Sequence, residues 1–222
     1  RDALPRPWLV MTLAGVYVFA FALLSLVWGQ AWRTNRSLFE HAVTVAPESA
    51  RVHGNLGREL MGTGEDEAAE RHLRRAIRLE PRSFIPRSNL GSLLVRQGRL
   101  REAERSLLSA VLLAPGYAEA WVNLAQARLQ GRRPEDALDA TARALSVAPE
   151  LWLAWEIQGA ARLALGETKA GILSLIQALR SDHPRPRAVL ENLARLGRNQ
   201  AAAAAIRAEL RPAERAIFDE LL

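Results

Sequence analysis

The apolar and polar positions of this chain fall into two regimes: an uncharged run at the start and a regular alternation after it. Residues 7–32, PWLVMTLAGVYVFAFALLSLVWGQAW, carry no charged side chain. As a helix this run is about 39 Å long, against a bilayer hydrocarbon core of about 30 Å. Trp8 stands near one end and Trp28 and Trp32 at the other. Tryptophan favours the headgroup level because its ring is apolar and its N–H seeks water. Arg1 and Arg6 flank one side, and Arg33 and Arg36 the other. The pattern predicts one transmembrane helix with its flanks over 1–32. A buried core helix and a cleaved signal peptide are the alternatives; the run is long for a signal peptide, and no A-x-A site follows it. The flanking arginines are nearly balanced, so the positive-inside rule does not orient the span. The chain begins with Arg1 rather than Met, as expected of a fragment or a processed chain.

After the uncharged run the pattern has a period of thirty-four residues. Ala recurs at 42, 76, 110, 144 and 178, and Pro at 47, 81, 115 and 149. Asn-Leu recurs at 55–56, 89–90 and 123–124. Gly57, Gly91, Ala125 and Gly159 form a small-residue column, and Gly64, Gly98 and Gly166 form another, with Gly131 one place early. Small residues let paired helices cross closely. A glycine ends a helix where the backbone turns left-handed, and a proline separates helices because it cannot donate the helical hydrogen bond. Leu73, Leu107 and Leu175 are expected to fill the seams between repeats, with Thr141 as the odd member.

These columns resemble the tetratricopeptide repeat (TPR), a helix–turn–helix unit of this length. The resemblance implies an all-α fold: a TPR α-solenoid, a right-handed superhelix of helix pairs, here preceded by the transmembrane helix. Four repeats fit 50–185, at about 50–82, 84–116, 118–151 and 152–185. The family's aromatic fourth position is His53, Arg87, Trp121 and Trp155 in turn. Phe39, Ala42 and Pro47 match a second helix, so 33–49 reads as a half repeat joining membrane to solenoid. Beyond Pro184 the period loosens, and 186–222 reads as degenerate capping helices. AAAAAIRAEL is strongly helix-forming, Pro212 suits a first helical position, and Ile217, Phe218, Leu221 and Leu222 are expected to pack inward.

The resemblance also implies a concave groove lined by the first helices. The residues it places there include Asn55 and Arg58, then Asn89, Ser92 and Arg96, then Asn123, Gln126 and Gln130. Asn55, Asn89 and Asn123 form a ladder of the kind some such repeats use to hold an extended peptide. An amide donates and accepts at once, so it can grip a backbone without reading side chains. The other reading is that these amides only bond across the groove or to water. A carboxylate-clamp groove is disfavoured: Arg58 and Arg96 are present, but no lysine joins them and the fourth repeat offers Glu156.

Composition narrows the chemistry. The formal charge is +6 with a pI near 10.9, and Lys169 is the one lysine among thirty basic residues. The absence of Cys removes disulfides, thiolate metal sites and thiol nucleophiles. The four His, at 41, 53, 72 and 183, form no metal-binding pair on one helix turn. Glu65, Asp66 and Glu67 suit a helix N-terminus by the dipole argument. The arginines of RHLRRAIR, 71–78, lack interleaved aromatics, so a solvated or lipid-facing surface is favoured over nucleic acid. No catalytic residues, metal ligands or cofactor are assigned. The chain reads as a membrane-anchored scaffold, not an enzyme. It would be a subunit or assembly factor of a membrane complex, with a protein or peptide and membrane lipid as partners and no nucleic acid. In the alternative, Trp32, Leu38-Phe39, Ala42, Pro47 and Asn55-Leu56-Gly57 resemble the junction in polytopic O-mannosyltransferase-like proteins with C-terminal repeats. The chain would then be a C-terminal fragment lacking the catalytic part. That resemblance also implies a location in the inner (cytoplasmic) membrane with the repeats on the extracytoplasmic side.

Overall fold

The computed structural model describes residues 7–31, 34–197 and 200–222. Thirteen helices and no strand occur among them. The chain divides into two compact units, Arg1–Pro81 and Arg82–Leu222.

The first unit holds α1 (Pro7–Ala31), α2 (Asn35–Val45), α3 (Ala50–Thr63) and α4 (Asp66–Leu79). α2 starts on a reciprocal cap: Thr34 Oγ1 accepts from the Ser37 amide at 3.0 Å, and Ser37 Oγ accepts from the Thr34 amide at 3.2 Å. α3 starts on Ser49, whose hydroxyl accepts from the Val52 amide, and ends on Gly64 at φ 82°. α3 and α4 pack as a hairpin, and α2 packs on α3. No residue of α2 is fully buried; Phe39 and Ala42 are half-covered.

The transmembrane expectation is corrected here. Side chains are described for residues 11–24 of α1, all of them exposed. No helix among the described residues is long and apolar enough to cross a membrane. The single span and the inner-membrane location with extracytoplasmic repeats therefore fall, and the lipid partner gains no support. Arg1, Arg6, Trp8, Trp28, Trp32 and Arg33 lie outside the described side chains. Arg36, expected as a membrane flank, instead pairs with Glu40 at 2.8 Å and grips both carboxylate oxygens of Glu65. It ties α2 to the turn between α3 and α4.

The second unit holds α5 (Ile85–Arg96), α6 (Leu100–Leu113), α7 (Ala118–Gln130), α8 (Pro134–Val147), α9 (Trp152–Ala164), α10 (Thr168–Arg180), α11 (Pro186–Leu196), α12 (Gln200–Glu209) and α13 (Pro212–Leu221). α5–α6, α7–α8 and α9–α10 pair as hairpins, and each hairpin stacks on the next. The first helices α5, α7 and α9 lie side by side.

The two small-residue columns act as the spacing implied, with two refinements. Gly57, Gly91 and Gly159 are needed because a Cβ would sit 2.7, 2.3 and 2.9 Å from side-chain atoms of Leu73, Leu107 and Leu175. The leucine column therefore fills the crossing inside each hairpin, not the seam between repeats. In the third hairpin the equivalent positions are Ala125 and Thr141, both fully buried. There a methyl is added on one helix and a leucine is shortened on the other. The left-handed turn positions are Gly64, Gly98 and Gly166 and, in the third repeat, Arg132 at φ 58°. Gly131 is not left-handed (φ −74°). Arg132 carries the Cβ penalty of that conformation, about 1 kcal/mol.

The C-terminal helices close the stack. Phe218 is fully buried among Ile176, Leu190, Leu193 and Ile206. Leu221 packs against that cluster, whereas Ile217 and Leu222 remain exposed. α13 begins at Pro212, and Glu214 Oε2 accepts from the Arg211 amide at 2.8 Å.

Candidate functional site

Three of the four hairpins carry a ring at the fourth repeat position, set by one bond, and the second carries Arg87 there. Trp121 Nε1 donates to the Pro115 carbonyl at 2.8 Å, and Trp155 Nε1 to the Pro149 carbonyl at 2.7 Å. His53 reproduces the contact: its Nε2 lies 2.9 Å from the Pro47 carbonyl. A carbonyl only accepts, so Nε2 carries the proton and the neutral ring leaves Nδ1 as an acceptor. That nitrogen is 2.9 Å from His72 Nδ1, which must then donate. The rings stack with centroids 5.1 Å apart. Burial chiefly, then His53 and Arg71, hold the His72 pKa below its ordinary value, against a weaker pull from Glu40. Histidine thus replaces tryptophan here as a structural donor.

The first helices of the second unit enclose a hollow of about 280 Å³. Ser88, Asn89 and Ser92 of α5, Glu119, Val122 and Asn123 of α7, Leu153 of α9, and Tyr117 and Leu151 before α7 and α9 line it. The thirty-four-residue period brings Asn89 and Asn123 to equivalent places on neighbouring helices. Asn123 Nδ2 donates to Ser88 Oγ at 3.4 Å, a long bond across the groove. Its carbonyl oxygen and second N–H remain for a ligand. The Asn89 side chain has no hydrogen bond to any described residue. Phe84 and Tyr117, each just before a first helix, meet at 5.0 Å between ring centroids.

Of the residues assigned to a groove from sequence, Asn89, Ser92 and Asn123 share this hollow. Gln126 is half-buried on α7, and Arg96 and Gln130 are exposed at the far ends of α5 and α7. Asn55, half-buried, and Arg58, exposed, sit on α3 in the first unit. Sequence reasoning passed over Tyr117 and Leu151. They are themselves thirty-four residues apart, so the period was the signal for them.

Beyond the hollow, polar groups are largely used internally. Glu104 is held by Arg128 at 3.2 Å and Arg133 at 2.6 Å. Buried Ser174 accepts from Arg162 Nη1 and donates to Gln158 Oε1, each at 3.0 Å. His183 is buried against the edge of Trp152; its Nδ1 accepts from the Arg185 amide, so Nε2–H faces Glu156 Oε2 at 3.4 Å. The carboxylates at the starts of α4, α6 and α8 sit in first helical turns, where the dipole favours them.

Residues 50–83 and 88–151 match family models described as tetratricopeptide repeat. These segments are tetratricopeptide repeats. Solved TPR-like structures carry the likeness further. PilF of Pseudomonas aeruginosa is 21% identical, with 90% of this chain and 96% of that one covered at a TM-score of 0.65. MamA of Desulfovibrio magneticus RS-1 is 19% identical, with 78% and 94% covered at 0.62. YrrB, described as a TPR protein with an unusual peptide-binding site, is 16% identical, with 83% and 98% covered at 0.60. At these identities the likeness establishes the all-α TPR fold. No curated protein matches the chain. The O-mannosyltransferase-like resemblance of the junction gains no support from these comparisons.

Proposed function

We propose that the chain is a protein-interaction module that holds an extended segment of a partner polypeptide in the hollow of its second unit. It would work as a subunit or assembly factor of a larger complex, with no catalytic step of its own. The observation that carries this is the pair Asn89 and Asn123. Two amides one repeat apart line one cavity, beside an apolar wall of Val122, Leu151 and Leu153. Amides at that spacing hold a backbone by donating to its carbonyls and accepting from its N–H groups, while the wall removes apolar side chains from water. Ser92, Gln126, Arg96 and Gln130 extend the polar track along the same helices. Asn55 and Arg58 are the corresponding pair in the first unit. The repeats at 50–185 supply the frame, with 33–49 as a half repeat and 186–222 as the cap. That YrrB has a peptide-binding site supports the reading by analogy.

The test is a titration of a peptide selected on the full chain from a phage-displayed random library. Replacing Asn89 and Asn123 together by Ala should weaken binding at least about tenfold, since each lost backbone bond is worth about 1 kcal/mol. The melting temperature should hold. Unchanged affinity would remove the amides from the account.

A further inference from the structure

The hollow carries one charge, and its sign opposes that of the protein. The chain is strongly basic, yet among the described residues lining the cavity Glu119 alone is ionisable at neutral pH. Glu119 is exposed and has no ion-pair or hydrogen-bond partner among the described residues. Internal pairing does not explain it. Glu104, Glu65 and Glu40 each find an arginine, whereas Glu119 does not. Nor is it a feature of the repeat. The other first helices, α3, α5 and α9, have no acid in the first turn, and Ile85 and Leu153 hold the equivalent positions. A second carboxylate, Glu156, follows on α9 beside the buried His183.

Around Glu119 the lining is aliphatic and aromatic: Val122, Leu151, Leu153 and Tyr117. An apolar wall that ends in a lone carboxylate suits a side chain with a methylene stem and a cationic head. Arginine and lysine are built this way, and both lay the stem on apolar surface while the head reaches a polar partner.

We propose that the hollow selects a partner segment bearing an arginine or lysine next to an aliphatic residue, the cation pairing with Glu119. This rests on the peptide-binding reading above and adds the class of peptide. Asn89 and Asn123 grip the backbone without regard to sequence, and Glu119 supplies the sign. Acidic tails are repelled.

A phage-displayed random heptapeptide library panned on the full chain tests this. The enriched sequences should carry Arg or Lys beside Leu, Ile or Val. One of them and the same peptide with glutamine in place of its basic residue are then compared by fluorescence polarisation. Glu119→Gln should weaken the basic peptide about tenfold, as for loss of a charge-assisted bond, and flatten its salt dependence. It should leave the glutamine peptide unchanged. Enrichment of neutral or acidic peptides would overturn the proposal while peptide binding stood. So would equal affinity of Glu119→Gln and the parent for the basic peptide. Failure to enrich any peptide would overturn both readings.

Discussion

At the scale of single residues, the pair His53 and His72 shows how a repeat position can change identity and keep its bond. In three of the four repeats the fourth position aims a ring N–H at the carbonyl of the preceding proline, and imidazole supplies it in His53 as indole does in Trp121 and Trp155. The exchange brings a titratable group into a stacked pair. With His53 Nε2 committed to Pro47, the pair can take one added proton on His72 Nε2. Burial, His53 and Arg71 already hold the His72 pKa down, with only Glu40 opposing. The sign follows directly. The unfolded chain binds a proton that folded His72 resists, so stability is full above the ordinary imidazole range near ~6.5 and falls as pH drops through it. Thermal melts at pH 7.5 and pH 5 should show the first unit weakening with acid, and His72→Phe should reduce that slope. An identical slope in the variant would relieve the pair of this role.

At the scale of helices, the crossing inside each hairpin is set by complementary partners. Gly91→Ala would drive a methyl into Leu107, whose nearest atom lies 2.3 Å from the new Cβ, and should cost about 1–3 kcal/mol in urea denaturation. Leu107→Thr alone should cost about 2–4 kcal/mol through lost packing. The double variant copies Ala125 and Thr141 and should cost less than the sum, because the threonine leaves room for the methyl. Its hydroxyl has a place, as Thr141 donates to the Leu138 carbonyl at 2.9 Å. Strict additivity would refute the pairing. Helix placement was legible from the Gly, Ala and Pro columns, since each marks a backbone demand that few residues meet. The crossing partner of each glycine was not, because a column gives spacing along the chain and not the direction of a side chain. Gly131 misled for a related reason: glycine permits a left-handed backbone without requiring it, and Arg132 takes the conformation instead.

At the scale of the molecule, a stack of hairpins must cover its last apolar face. Phe218 does this, fully buried against Leu190, Leu193 and Ile206 and within 3.1 Å of where a Cβ on Gly197 would stand. Phe218→Ala should cost about 3–5 kcal/mol, read as a lower urea midpoint of the full chain. A loss under about 1 kcal/mol would mean that α13 does not seal the stack. The helices at 200–209 and 212–221 were legible from helix-forming sequence and Pro212. The N-terminal run was not read correctly, because uncharged residues state how long a helix can be and not what surrounds it. The period puts Asn89 and Asn123 on one cavity, while Asn55 belongs to the other unit. The matched crossings also limit how such an array can be recombined. A chimera joined within a hairpin would set alanine against leucine, a collision, or glycine against threonine, a void. Grafts made at the proline loops transfer each matched couple whole, so evolution and engineers alike have the same few safe places to cut.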